Sequence, residues 1–142
     1  VKDIPEVYAE YVIVTKGDLN LKFDDVNFRA FHVKNPFEVV QLEQIVFNLD
    51  YRYAGRTDIV AKVDGKVTLC DIKTGSSINR EKAFKQMSAY AKALGDIEQM
   101  MIIHLNNGTK QGFSQPIISD EIEKNFQLFL KDRQSFKERF GV

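Results

Sequence analysis

Residues 56–73 read Arg56-Thr57-Asp58-Ile59-Val60-Ala61-Lys62-Val63-Asp64-Gly65-Lys66-Val67-Thr68-Leu69-Cys70-Asp71-Ile72-Lys73. Asp-Gly between two β-rich runs is a strong two-residue hairpin signal. With that pair as the turn, Val63 faces Lys66, and counting outward sets Asp58 opposite Asp71 on one face of the hairpin. Opposed side chains lie about 4.5–5.5 Å apart at Cβ, and like charges there repel. A divalent cation held by hard oxygen ligands is the usual compensation. Lys73, two residues beyond Asp71, projects from the same face. Two acids and a lysine around a cation suit phosphodiester cleavage.

Strand context strengthens this reading. Val67, Leu69, Asp71 and Lys73 share one face of the third strand, and Thr68, Cys70 and Ile72 share the other. Both faces are largely apolar, as in a buried central strand. Charge buried without a partner is costly, and one lysine neutralises only one of two acids. Taken singly, Asp58 also reads as a turn residue and Asp71 as a solvated strand acid.

Outward from the hairpin the chain alternates strands and helices. Tyr8–Val14 fits a helix or a strand, with Tyr11-Val12-Ile13-Val14 favouring the strand; after a Lys16-Gly17-Asp18 turn Leu19–Phe23 reads as a second strand, and an irregular segment runs from Asp24-Asp25 to Asn35-Pro36. Phe37–Phe47 reads as a strand, followed by an Asn48-Leu49-Asp50 turn. Tyr51–Val63 is the next strand, with a kink or bulge expected at Gly55. Lys66–Lys73 is the third. Asn79 caps a helix over Arg80–Leu94, whose Phe84, Met87, Ala91 and Leu94 fall at helical spacing before Gly95. Gln99–Leu105 is an apolar strand, and Asn107-Gly108 turns it into a shorter one over Gly112–Ile118. Ser119 is expected to cap a last helix with an apolar stripe of Ile122, Phe126, Phe129, Phe136 and Phe140. This order gives an α/β layer structure.

Composition sets the outer bounds. A chain of 142 residues predicts a single domain over residues 1–142. It is 44% hydrophobic and 28% charged, ordinary for a soluble globular protein. Net charge is zero, so no global positive field advertises nucleic acid; metal-binding carboxylates would cancel basic residues elsewhere. The single cysteine, Cys70, excludes an internal disulfide and four-cysteine metal sites. It points to a reducing, intracellular setting. No membrane span and no signal peptide are visible. The start at Val1, without methionine, reads as a processed product or a piece of something longer.

Gln86 and Tyr90 lie four apart on one helix face. Alone they read as a surface glutamine beside a half-buried tyrosine. The short loop after Lys73, however, puts their helix on the sheet that carries the acids.

These residues in this order resemble the PD-(D/E)XK nuclease superfamily, in its RecB-like, phage-type exonuclease branch. Thr57-Asp58 stands in the "PD" position, Asp71-Ile72-Lys73 is the (D/E)XK element and Gln86 to Tyr90 is the QxxxY element. The run Tyr53 to Ile59 followed by Asp71 to Gly75 is similar to phage-type exonucleases. The C-terminal strands and aromatic-rich helix look like those of the mitochondrial genome maintenance exonuclease. The resemblance covers roughly Val39 to Phe140.

It implies a restriction-endonuclease-like core, a central mixed β-sheet flanked by helices. It implies a metal-dependent DNA nuclease, an exonuclease acting on DNA ends with single strands preferred, in repair or recombination. Asp58 and Asp71 would hold Mg²⁺ or Mn²⁺ with the Ile72 carbonyl, and Lys73 would orient water or stabilise phosphate charge. Gln86 and Tyr90 would position the nucleic acid or the lysine. The family adds an upstream acid; Glu43 is the first choice, with Glu38 and Glu10 as competitors.

Thr74, Gly75 and Ser76 would approach phosphate through backbone N–H groups. Arg56, Arg80, Lys82 and Lys85 are candidates for phosphate contacts, although each also reads as part of a solvated face. The partner is DNA, with no membrane, and the compartment is cytoplasmic, or the host cytoplasm for a viral protein. Two features depart from the family. No upstream helix with a catalytic histidine or acid is evident: His32 falls in the irregular segment and His104 reads as a satisfied core histidine. The helical N-terminal region that often guides single strands is missing, or has been removed. The alternative function is a non-catalytic nucleic-acid-binding or assembly domain that keeps the fold. An acid-lined calcium or small-molecule site ranks lower, since the spaced loop ligands of calcium modules are absent.

Overall fold

The Asp64-Gly65 turn is the hinge of the central sheet. Asp64 (φ 51°) and Gly65 (φ 80°) both take positive φ, the combination a type I′ hairpin turn requires. The computed structural model describes residues 26–106 and 108–140. The expected strands over Tyr8–Val14 and Leu19–Phe23, the Lys16-Gly17-Asp18 turn and Glu10 lie outside these residues.

In chain order, among the described residues, the elements are α1 (Val26–Lys34), β1 (Glu38–Asn48), β2 (Tyr53–Val63), β3 (Lys66–Thr74), α2 (Arg80–Leu94), β4 (Gln99–Leu105), β5 (Ile117–Ser119) and α3 (Ile122–Phe140). The strands form one sheet in the order β1-β2-β3-β4-β5. β3 and β4 run parallel and the other neighbours antiparallel. A parallel pair needs a crossover connection, and α2 supplies it. This mixed sheet with three helices is the α/β, restriction-endonuclease-like arrangement expected.

The sheet buries both faces. On one, Phe28 and Phe31 of α1 cluster with Ile59, Cys70, Met101, Ile103, Leu105 and Phe113. On the other, Phe84, Met87 and Ala91 of α2 cover Val60, Leu69, Met100 and Ile102. Helix α2 starts where Asn79 Oδ1 accepts from the Lys82 N–H at 3.1 Å, and the Gly95 N–H closes it on the Ala91 carbonyl.

Several expectations need correction. The segment read as irregular contains α1. Its valines, asparagine, phenylalanines and histidine are weak helix formers, so propensity gives no signal. Packing of Phe28 and Phe31, 2% and 0% exposed, holds the helix instead. Gly55 is no bulge: it pairs in register with Val46, and the register shift lies between Val39 and Gln41. A Cβ at Gly55 would fall 2.1 Å from the Tyr90 ring, so glycine is there to let Tyr90 approach the backbone.

The strand expected over Gly112–Ile118 shrinks to Ile117–Ser119 plus an isolated bridge from Phe113 to Leu105. Pro116, between the two, has no N–H to continue a ladder. Ser119 ends β5 rather than capping α3, and its Oγ accepts from the Glu121 N–H. The α3 stripe is only half covered: Phe126 is buried, whereas Phe136 and Phe140 are 55% and 60% exposed.

Candidate metal centre

The β2–β3 ladder follows the register set by the turn, from Val63↔Lys66 to Ile59↔Cys70. One residue further, backbone pairing stops. There Asp58 turns its carboxylate across, and Oδ2 accepts the Ile72 N–H at 2.9 Å. The carboxylate thus replaces a main-chain acceptor and is locked in place. Its neighbour Thr57 does the same on the other side, its Oγ1 lying 3.3 Å from the Gln44 nitrogen.

Asp58 and Asp71 line the same cleft, close enough for their charges to couple. Burial first, and then the hydrogen bond and charge of Asp58, push the Asp71 carboxyl up to about 6, against the pull of Lys73. Lys73 Nζ lies 3.0 Å from Asp71 Oδ2. Two carboxyl groups that close must share a proton or a cation. Cys70, on the opposite face of β3, is raised to about 12 by burial and by the same two acids. It is a protonated, inert thiol rather than a nucleophile.

Helix α2 closes the site. Gln86 Nε2 donates to the Tyr90 hydroxyl at 2.8 Å. Burial raises the Tyr90 pKa against the Gln86 hydrogen bond, so the phenol is a neutral group facing the acids. Arg56, Thr57, Asp58, Asp71, Gln86 and Tyr90 line one cleft of about 10 Å³. That is room for a single water-sized sphere between the side chains.

Glu43 sits in β1 between Leu42 and Gln44, which pair with Ile59 and Thr57 of β2. It is 1% exposed and has positive φ (21°). Neither carboxylate oxygen accepts a hydrogen bond, and the nearest cation is Arg56 Nη1 at 3.8 Å. A buried carboxylate without hydrogen bonds is costly. Among the described residues, no group of three or more His, Cys, Asp or Glu side chains converges as a metal site. Glu43 is therefore close in register to the aspartates without joining them. Glu38 is remote, at the far end of β1, paired with Lys62.

The donor set suits a hard divalent cation: two carboxylates lining one cleft, and in the neighbouring strand a buried carboxylate short of hydrogen-bond partners.

The remaining positions spread outward. Thr74 ends β3 and Gly75 and Ser76 begin the loop after it, all three exposed, and His104 Nε2 lies 2.6 Å from the Gly75 carbonyl oxygen. His104 pairs with Lys73 in the β3–β4 register, so it braces this loop from inside the sheet. Arg80 and Lys82 are exposed on the first turn of α2. Lys85 is ion-paired with Asp132 of α3 at 2.7 Å, so much of its charge is already engaged. Tyr53 donates to the Ala89 carbonyl at 2.7 Å, next to Tyr90. The Asp132 and Ala89 contacts join residues far apart in the chain, and no local pattern announces them.

The sequence profile of the PD-(D/E)XK nuclease superfamily matches residues 17–137. No match is found among curated proteins. No helix among the described residues is long and apolar enough to cross a membrane.

Proposed function

The chain belongs to the PD-(D/E)XK nuclease superfamily, and from that premise we propose that it is a divalent-metal-dependent DNA nuclease of the RecB-like branch, an exonuclease acting on DNA ends with single strands preferred. Members of this superfamily are typically nucleases, and they generally use divalent metal ions. The observation that carries the reading is one cleft lined by both acids, with Asp58 anchored on the Ile72 N–H at 2.9 Å and Lys73 3.0 Å from Asp71.

Asp58, Asp71 and the Ile72 carbonyl would hold Mg²⁺ or Mn²⁺, with Glu43 reaching it through water. Such a cation, when bound, polarises the scissile phosphate and makes a water more acidic. The Ile72 N–H keeps Asp58 aimed while the substrate binds. Lys73 places its ammonium beside Asp71, where it orients the attacking water or offsets the charge that builds on the phosphate. Gln86 fixes the Tyr90 hydroxyl, and Tyr90 positions the strand or Lys73. Arg56 and the Thr74–Ser76 loop contact phosphate at the rim.

One observation favours a second reading, a nucleic-acid-binding domain without catalysis: Glu43 stands with Arg56 rather than with the aspartates. A cleavage assay separates the two. End-labelled single- and double-stranded DNA, linear and circular, is incubated with Mg²⁺, Mn²⁺ or chelator, beside Asp71→Ala and Lys73→Ala. The nuclease cuts linear DNA with metal, and both substitutions stop it. Binding without cleavage under every metal condition supports the second reading.

A further inference from the structure

Charge is unevenly distributed over this neutral chain. The turn between β1 and β2 and the outer side of α3 enclose a groove of about 780 Å³. It is lined by Arg52, Lys131, Arg133 and Lys137 against one acid, Asp50. A cleft at the other end of α2 has the opposite sign, with Asp96, Glu98, Asp120 and Glu123 against Lys92. Among the described residues, Arg52, Lys131 and Lys137 form no ion pair. A groove lined by one sign of charge concentrates ions of the other.

The groove has a rigid wall. Arg133 Nη2 donates to the Arg52 carbonyl at 2.8 Å, and its guanidinium sits 5.7 Å from the centre of the Tyr53 ring. Tyr53 in turn holds the Ala89 carbonyl, one residue before Tyr90. At the mouth, Tyr51 is 44% exposed, with its ring edge-on to Phe126. Fixed cations beside an exposed aromatic ring are what a single strand uses: phosphates on the cations, a base on the ring.

We propose that this groove binds the backbone of a single-stranded DNA outside the cleavage centre and holds the substrate while its end reacts. The proposal rests on the nucleic-acid reading of the preceding subsection, but it places the affinity elsewhere. The cleft between the aspartates encloses only about 10 Å³ and offers little surface to grip a strand, whereas the groove is large enough for several phosphates.

The test is fluorescence anisotropy of labelled oligothymidylate with the full chain in chelator, across a salt series. Lys131→Gln/Lys137→Gln should lower the slope of log K against log salt by about 1.4, and weaken binding about 20-fold at about 0.1 M salt. Arg52→Gln, on the opposite wall, should act in the same direction. Lys62→Gln/Lys66→Gln, at the hairpin turn, should bind as wild type. Thermal melting establishes that each variant is folded. A wild-type slope in the groove variants overturns the proposal, as does an equal loss in the hairpin control. Failure of the nuclease reading looks different: wild type binds with its full slope but cuts nothing when Mg²⁺ or Mn²⁺ is added.

Discussion

The two faces of β3 divide the labour of the molecule. Under α1, Cys70 and Ile72 pack into the apolar cluster with Phe28 and Phe31, and Thr68 is satisfied by Gln99 at 3.0 Å. Under α2, Val67 and Leu69 begin in the same way, but the strand then presents Asp71 and Lys73. The charges stand at the carboxyl end of a strand that runs parallel to β4, where open α/β sheets place their ligands. One face supplies stiffness, and the other spends it on holding two like charges together.

If the division is real, damage to the two faces has different consequences. Asp71→Ala and Lys73→Ala should drop cleavage the most. The first should fall to the level seen with chelator, and the second by about 10²- to 10³-fold, the size expected when a partner of transition-state charge is lost. Asp71→Ala should melt at or above the wild-type temperature in chelator, because one of two repelling acids has been removed, whereas Lys73→Ala, which strips Asp71 of its cation at 3.0 Å, should melt at or below it. Ile103→Ala, on the apolar face, should do the reverse. Ile103 is 0% exposed, and its truncation should cost about 2–5 kcal/mol in urea unfolding. Cleavage per folded molecule should change little. A large loss of activity in folded Ile103→Ala would blur the division.

Gly55→Ala is a finer probe. Its methyl would meet the Tyr90 ring at 2.1 Å, so the ring must move. Steady-state kinetics should show a clear loss of kcat/KM, and Gly55→Ala/Tyr90→Phe should lose little more than Gly55→Ala alone, since both disturb one group. Additive losses would place the role of Gly55 elsewhere.

The smallest effect concerns pH. In chelator, the folded chain keeps a proton on Asp71 up to about 6, whereas the unfolded chain releases it near the usual 3.8. Stability from this proton is full below that lower value and is lost as pH rises through about 6. Urea midpoints in chelator should fall across this window, and Asp71→Asn should flatten the trend.

Much of this was legible in the sequence because it was local. Asp64-Gly65 fixed the register that brings residues 58 and 71 together, and the apolar spacing of Phe84, Met87 and Ala91 placed α2. What the sequence hid depends on distant partners. Helix α1 exists because Phe28 and Phe31 find Phe37 and Phe113. Gly55 looked like a defect in a strand until Tyr90 arrived above it. Asp58 was expected directly across a ladder from Asp71, but that ladder ends at Ile59↔Cys70, and the Ile72 N–H captures the carboxylate. Periodicity marks the apolar stripe of α3 but cannot reveal where the neighbouring surface runs out, and Phe136 and Phe140 of its last turns lie exposed.

The most direct test is a calorimetric titration of the full chain with Mn²⁺ in the absence of DNA, beside Asp58→Asn and Asp71→Asn. A site shared by both carboxylates binds Mn²⁺ in wild type, and either substitution removes most of the affinity. Equal binding by wild type and both variants, or no binding by folded wild type, would contradict the account.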